Sequence, residues 1–111
     1  MSIVNSIACK YLIYSCQMIE TAEFMQKETK GWIRRRPLLD TRPVTLQLVV
    51  QNEEVELEEA LQTGDASRIR EEVGDVLFAR AAARMDIRET INLCYKKGLD
   101  PLELFKETLD K

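Results

Sequence analysis

The chain has 111 residues, of which 45% are hydrophobic and 32% are charged; this balance excludes intrinsic disorder and predicts one globular domain over residues 1–111. The formal net charge of −3 argues against nucleic acid as a partner, because proteins that bind it usually carry a basic excess. The sequence contains neither an apolar run near the roughly 20 residues of a membrane helix nor a signal-peptide layout, so we expect a cytoplasmic protein with no membrane contact.

Most of the chain is predicted to be helical, because glycine and proline occur between long segments in which apolar residues recur with helical spacing. In the first segment, apolar residues recur at steps of three and four, and Gly31 is predicted to end the helix. Residues 31–42, which include Pro37, are predicted to be an ordered loop. Pro43, Asp65, Asp86 and the pair Asp100-Pro101 are suitable helix-start residues. The predicted helices are 3–30, 43–62, 66–85, a short one from Asp86 to Lys97, and 101–109.

This pattern predicts an all-α fold, a bundle of four to five helices joined by short turns. The first helix carries a long apolar stripe that includes Ile7, Tyr11, Tyr14 and Met18. A domain of this size has little spare core to cover such a stripe. We therefore expect the protein to associate with itself, as a homodimer or tetramer.

The sequence contains no histidine. This absence removes the usual general base and the histidine-dependent nucleophile systems. Hydrolytic chemistry would have to use carboxylates, a metal ion, or both.

Glutamates occupy unexpected positions in the second predicted helix. Each residue turns an α-helix by about 100°, and Glu53 fills a vacant position near the centre of the apolar stripe formed by Leu46, Val50, Leu57 and Ala60. Glu56 lies at the edge of that stripe, one turn later. Glu58, by contrast, points to solvent.

The third predicted helix repeats this arrangement, because Glu72 and Asp75 are three residues apart and share the side of Val76 and Ala79. Buried carboxylates are costly unless a positive group joins them. Salt bridges to Arg80 or Arg84 are one solution. A divalent cation is the other, since four carboxylates from two helices form a typical hard-oxygen site.

The pattern Glu53-x-x-Glu56, a short turn, and Glu72-x-x-Asp75 followed by an apolar run resembles the MazG-like all-α NTP pyrophosphohydrolases. The similar stretch is about 46–97, and 71–78 is its closest part. The resemblance implies Mg²⁺-dependent hydrolysis of nucleoside triphosphates, NTP or dNTP, to the monophosphate and pyrophosphate, with Mn²⁺ as a possible substitute. It also implies metal ligation by Glu53, Glu56, Glu72 and Asp75, a catalytic role for Glu53 and Glu56, and assembly into dimers or tetramers.

Two positions depart from the family pattern. Asn52 stands where members commonly carry an acidic residue that helps to activate water, and Tyr95 stands where an asparagine is expected. The alternative hypothesis is therefore a catalytically weak or inactive protein that binds metal or nucleotide, or serves as an oligomerisation module.

Two side chains outside the acidic motif are candidate substrate contacts. Lys97 matches a family lysine and could contact a phosphate, although it could equally be a solvated lysine at a helix end. Trp32 resembles a tryptophan of some members and could stack on a base or simply pack. No motif identifies the preferred base or sugar.

Overall fold

The computed structural model describes the backbone of residues 3–111 and the side chains of residues 16–111. Across this part of the chain the secondary structure is helical and contains no β-strand, which confirms the predicted all-α class. The described range contains no helix whose length and apolar character would let it cross a membrane. The five helices are α1 (Ile3–Arg34), α2 (Pro43–Thr63), α3 (Ala66–Ala82), α4 (Arg88–Lys96) and α5 (Pro101–Leu109).

Helix α3 is the centre of the bundle, and each of the other four helices packs against it. Helix α2 runs back along α3 after a tight turn, whereas α1, α4 and α5 also contact one another. The core is formed by apolar side chains of α3 and by those that pack against it. The largest fully buried ones are Met25, Leu77, Ile87, Ile91, Leu104 and Phe105. Among the described residues α2 packs against α3 alone, and a cleft remains between α2 and the C-terminal half of α1.

The predicted caps of α3 and α5 are confirmed. The side chains of Asp65 and Asp100 accept hydrogen bonds from the backbone N–H groups two residues further on, at 3.1 and 3.0 Å. Asp86 accepts a 2.9 Å bond from the backbone N–H of Arg88, but the N-cap residue of α4 is Ile87, so Asp86 lies one residue before the cap that was predicted for it. Gly64 and Gly98 end α2 and α4 with φ angles of 73° and 69°, a conformation that glycine adopts without steric cost.

The prediction that Gly31 ends α1 is wrong, because the helix continues to Arg34. A glycine ends a helix when its backbone turns left-handed, and Gly31 does not have a positive φ. Trp32 and Ile33 are partly buried, so packing offsets the roughly 1 kcal/mol that an interior glycine costs. The end of α1 falls shortly before Pro37, which disfavours helical geometry in the residue that precedes it.

Helix α3 is shorter than predicted, since it ends at Ala82 and not at Met85. Arg84 adopts a left-handed conformation with φ of 58°. The backbone N–H of Arg84 then bonds to Ala81 O at 3.1 Å and that of Met85 to Arg80 O at 2.8 Å, which is the Schellman closing motif. Position 84 usually holds glycine in this motif, and the alanine-rich sequence gives no sign of the turn.

The apolar stripe of α1 is described only in part. Met25 is fully buried and Met18 packs against the core, as predicted. Ile7, Tyr11 and Tyr14 lie outside the described side chains, so their role in self-association stays a prediction.

Helices α3 and α5 approach closely at Gly74. A Cβ atom at this position would lie 2.4 Å from Thr108 Oγ1 and 2.8 Å from the Leu104 carbonyl oxygen, which is closer than atoms can approach. The glycine therefore permits the contact, and α5 places Lys111 beside Asp75, one residue beyond the glycine.

Candidate metal centre

Three of the four predicted ligands meet between α2 and α3. One carboxylate oxygen from each of Glu53, Glu56 and Glu72 lies within 4.8 Å of the others. Glu53 and Glu56 are one turn apart on α2, and the antiparallel α3 brings Glu72 opposite them. The phase argument is thus confirmed for Glu53, which is partly buried, and for Glu58, which is exposed.

The cluster is buried on the core side and open on the other. Glu72 is only 9% exposed, whereas Glu56 is exposed at the rim. One oxygen of Glu53 and one of Glu72 are buried without a hydrogen-bond partner. A buried acceptor without a partner is rare in folded proteins and indicates a missing ion, water or ligand atom.

Burial and mutual repulsion also change the acidity of the cluster. Burial is the largest cause that raises the pKa of Glu53, to about 7, and the charges of Asp75, Glu56 and Glu72 add to it. The pKa of Glu72 is likewise raised, first by burial and then by the adjacent Glu56 carboxyl group. Burial and neighbouring carboxyl groups are thus the causes of both shifts.

Neighbouring carboxylates, by contrast, have cationic partners. Glu54 pairs with Arg80, whose Nε also donates to the Asp86 carbonyl oxygen at 2.8 Å. Among the side chains of residues 16–111, no ion pair involves Glu53, Glu56 or Glu72. The alternative prediction, in which Arg80 or Arg84 neutralises the cluster, therefore finds no support in the described contacts.

Asp75, the fourth predicted ligand, lies next to the cluster and, unlike the other three, forms an ion pair with a lysine. Its charge raises the pKa of both Glu53 and Glu72, so it faces the same space. Its carboxylate accepts a 2.9 Å hydrogen bond from Lys111 Nζ, which also contacts Glu71 at 3.2 Å. Sequence reasoning missed Lys111, because nothing local links residues 36 positions apart.

Trp32 is engaged in packing within the folded chain. Its ring meets Phe78 edge-on, with centroids 4.9 Å apart and an interplanar angle of 79°. The guanidinium of Arg36 lies 3.6 Å from the ring centroid, and Trp32 Nε1 is buried without a partner. A base could stack on this ring face only after Arg36 moved away.

Lys97 follows the last turn of α4, and its side chain is exposed. Its backbone N–H closes the helix by donating to Leu93 O and Cys94 O. In the part of the chain that the structure describes, helix α4 packs on α1, α3 and α5 and not on α2. Lys97 therefore does not belong to the helix pair that carries the acidic cluster.

The arrangement of these helices agrees with a comparison against protein families. The model of the MazG nucleotide pyrophosphohydrolase domain matches residues 41–97, which is more than half of the chain and includes α2, α3 and α4. Searches of curated proteins and of solved structures give no significant match. The family is generally dependent on divalent metals. On the strength of the family match and the all-α fold, this chain belongs to the MazG nucleotide pyrophosphohydrolase family.

Proposed function

We propose that this protein hydrolyses a nucleoside triphosphate, ribo- or deoxyribo-, to the monophosphate and pyrophosphate, with Mg²⁺ or Mn²⁺ held by Glu53, Glu56, Glu72 and Asp75. The observation that carries the proposal is the cluster of three carboxylates within 4.8 Å, two of which bury an oxygen without a partner. The family membership supports the reaction type.

The residues fit a hard divalent cation. Mg²⁺ and Mn²⁺ prefer carboxylate oxygens, and the buried oxygens of Glu53 and Glu72 lack any other partner. Such an ion would compensate the burial and the repulsion that raise the pKa of Glu53, and it would offset the negative charge of the triphosphate. Lys111 contacts Oδ1 of Asp75, so it would compete with the ion for this carboxylate, whose other oxygen could also bind the ion.

The proton acceptor in this proposal is Glu56. Asn52 is exposed, and an amide cannot accept a proton at neutral pH. Glu54 is paired with Arg80, so its carboxylate is already engaged. Glu56 is the exposed member of the cluster, and water and substrate reach it from the rim.

The direct test is pyrophosphate release from a panel of all common NTPs and dNTPs with Mg²⁺. We expect activity on at least one nucleotide, and we expect Glu72→Gln to remove most of it. Glu58→Gln is the matched control, because Glu58 is an exposed glutamate on α2. Loss of activity in both variants would mean that the cluster is not the specific cause.

The second candidate function is a metal- or nucleotide-binding module without turnover, and Asn52 is the observation that favours it. A positioned base typically contributes about a hundred- to ten-thousand-fold to rate. If that base is missing, Asn52→Glu should raise the rate; if Glu56 supplies it, the substitution should change the rate little or lower it. No release by either protein, with Mg²⁺ and Mn²⁺, would favour the binding module.

We also propose that the protein is at least a dimer. The outer surface of α2 exposes Val44 at 60%, Leu48 at 55% and Val55 at 55%. Exposed apolar side chains grouped on one helix commonly mark a contact surface. Sedimentation at micromolar concentration should show a species heavier than the 12.8 kDa chain; a clean monomer would contradict self-association.

A further inference from the structure

Helix α2 has a single neighbour in the part of the chain that the structure describes, which is α3. The buried residues of α2 are Val50, Leu57 and Ala60. The same interface contains Glu53 and Glu72, whose carboxylates repel each other. Because this repulsion acts to separate the two helices, the position of α2 depends on any contact that joins it to α3 beyond these apolar side chains.

Arg80 of α3 supplies such a contact and extends it to a second element. Its guanidinium pairs with the carboxylate of Glu54 on α2. Its Nε donates at 2.8 Å to the carbonyl oxygen of Asp86, in the connection between α3 and α4. The Arg80 side chain is 20% exposed, less than that of any other arginine that forms an ion pair within residues 16–111. Two acceptors on different elements hold the guanidinium in place, because its donors point in fixed directions.

This pair lies beside the acidic cluster and not within it. Glu54 lies about 100° from Glu53 around α2, in the direction opposite to Glu56. On α3, Arg80 lies about 80° from Glu72, and the ion pair shows that Arg80 and Glu54 share one flank of the interface. Arg80 forms no ion pair with a member of the cluster among the described residues, so its effect on the cluster passes through α2.

We infer that Arg80 is a positioning residue of the metal centre. By joining Glu54 to the Asp86 carbonyl oxygen, it fixes the adjacent Glu53 at the distance from α3 that a shared ion requires. A functional site of this kind tolerates displacements of only about 0.5 Å, and the repulsion between carboxylates acts to widen it. This inference rests on the proposed function for the metal site, but it requires neither nucleotide nor hydrolysis.

Electrostatics and positioning predict opposite results when Arg80 is replaced. Removal of a nearby positive charge should by itself strengthen the binding of a cation. Loss of a group that orients metal ligands should weaken that binding, commonly by about ten- to a hundredfold. We expect Arg80→Gln to weaken Mg²⁺ binding about tenfold, at the lower end of this range, because Arg80 acts through a neighbouring residue.

The experiment measures dissociation constants for Mg²⁺ and Mn²⁺ by calorimetry, without nucleotide, at a temperature at which circular dichroism shows each variant to be folded. Arg70→Gln is the matched control. Arg70 is also an arginine of α3 that pairs with exposed glutamates, but its partners Glu103 and Glu107 lie on α5. Both variants remove one positive charge and one contact between helices, and only Arg80→Gln releases α2. Arg70→Gln should therefore bind Mg²⁺ no more weakly than the natural protein.

Two further variants separate geometry from charge. Arg80→Lys keeps the positive charge, but an ammonium on a flexible stem lacks the rigid fork of donors. Its affinity for Mg²⁺ should lie between those of the natural protein and of Arg80→Gln. Glu54→Gln tests the same contact from α2, and the further loss that it causes should be smaller in the Arg80→Gln protein than in the natural one, because the pair is already broken.

The outcomes separate this inference from the proposed function. Mg²⁺ binding that is unchanged or stronger in Arg80→Gln, or weakened equally in Arg70→Gln, overturns the positioning role and leaves the metal site in place. If Arg80→Gln does not fold, the comparison of Arg80→Lys with the natural protein decides in the same way. No binding of either ion to the natural protein contradicts the metal site and the positioning role together. Binding that depends on Arg80 without pyrophosphate release supports the positioning role and contradicts hydrolysis.

Discussion

Adjacent carboxylates on the same two helices have opposite environments. Glu54 and Glu71 are exposed and pair with Arg80 and Lys111, whereas their sequence neighbours Glu53 and Glu72 turn inward without a cation. The exposed carboxylates of Glu54 and Glu71 therefore have cationic partners, although solvent would stabilise their charge in any case. The buried carboxylates of Glu53 and Glu72 have none, although an unpaired buried charge costs the most free energy. A contrast of this kind is expected when stability is sacrificed for a ligand that binds later.

The strongest test of this contrast compares Glu72→Gln with Glu71→Gln. Glu72→Gln should reduce pyrophosphate release by about ten- to a hundredfold or more, because loss of a residue that merely supports a metal ligand commonly costs that much. It should also raise the melting temperature of the metal-free protein, since a neutral amide replaces a repelled, buried carboxylate. Both quantities are measured on the same samples, by a pyrophosphate assay and by thermal unfolding.

Glu71→Gln should do neither. It removes an exposed contact with Lys111, and such pairs contribute about 0–1 kcal/mol to stability. If the metal-free Glu72→Gln protein unfolded at a lower temperature than the Glu71→Gln protein, Glu72 would be a stabilising residue and the contrast would be lost.

The second test is the dependence of stability on pH. Because the pKa of Glu53 is raised from 4.5 to about 7, the folded state binds more protons than the unfolded state between these values. The free energy of unfolding of the metal-free protein should therefore fall as pH rises from about 4.5 through 7. The stabilisation by Mg²⁺ should grow over the same range, because the metal requires the ionised carboxylate.

Glu53→Gln is the control for this dependence. Asp40 and Asp86, whose pKa values are lowered by their arginine partners, lose their contribution only at lower pH, so they do not disturb this window. The decline should be smaller in Glu53→Gln, as followed by urea unfolding at several pH values. An identical decline in both proteins would show that Glu53 is not the group responsible.

The smallest change in Mg²⁺ affinity is expected on replacing Lys111, which pairs with Asp75 beside the cluster. Lys111→Ala should free this carboxylate and tighten Mg²⁺ binding up to about fivefold, the range of an exposed ion pair. Lys106→Ala, which removes an exposed lysine of α5, is the control. Weaker Mg²⁺ binding in Lys111→Ala would mean that Lys111 orients Asp75 rather than competing for it.

Local signals predicted most of the fold. The capping aspartates Asp65 and Asp100 and the glycines Gly64 and Gly98 function as the sequence indicates, because caps depend on neighbouring residues alone. The ends of α1 and α3 were missed for a physical reason. Packing carries α1 through Gly31, and a left-handed arginine closes α3 where the sequence contains no glycine.

The acidic cluster was predictable and its surroundings were not. Helical phase alone places Glu53 on the apolar face, and a spacing of three residues places Glu72 and Asp75 together. The partners Arg80 and Lys111 depend on how separate helices align. The cleft lined by Thr29 and Arg84 depends on the gap that α2 leaves toward α1, which no sequence pattern encodes.

A crystal structure of the protein with Mn²⁺, with the ion located by its anomalous scattering, would show most directly whether the acidic cluster binds a metal. We expect a peak between Glu53, Glu56 and Glu72, with carboxylate oxygens, including one of Asp75, at bonding distance. A peak at another group of residues, or no peak at millimolar Mn²⁺ together with unchanged unfolding temperature, would contradict it.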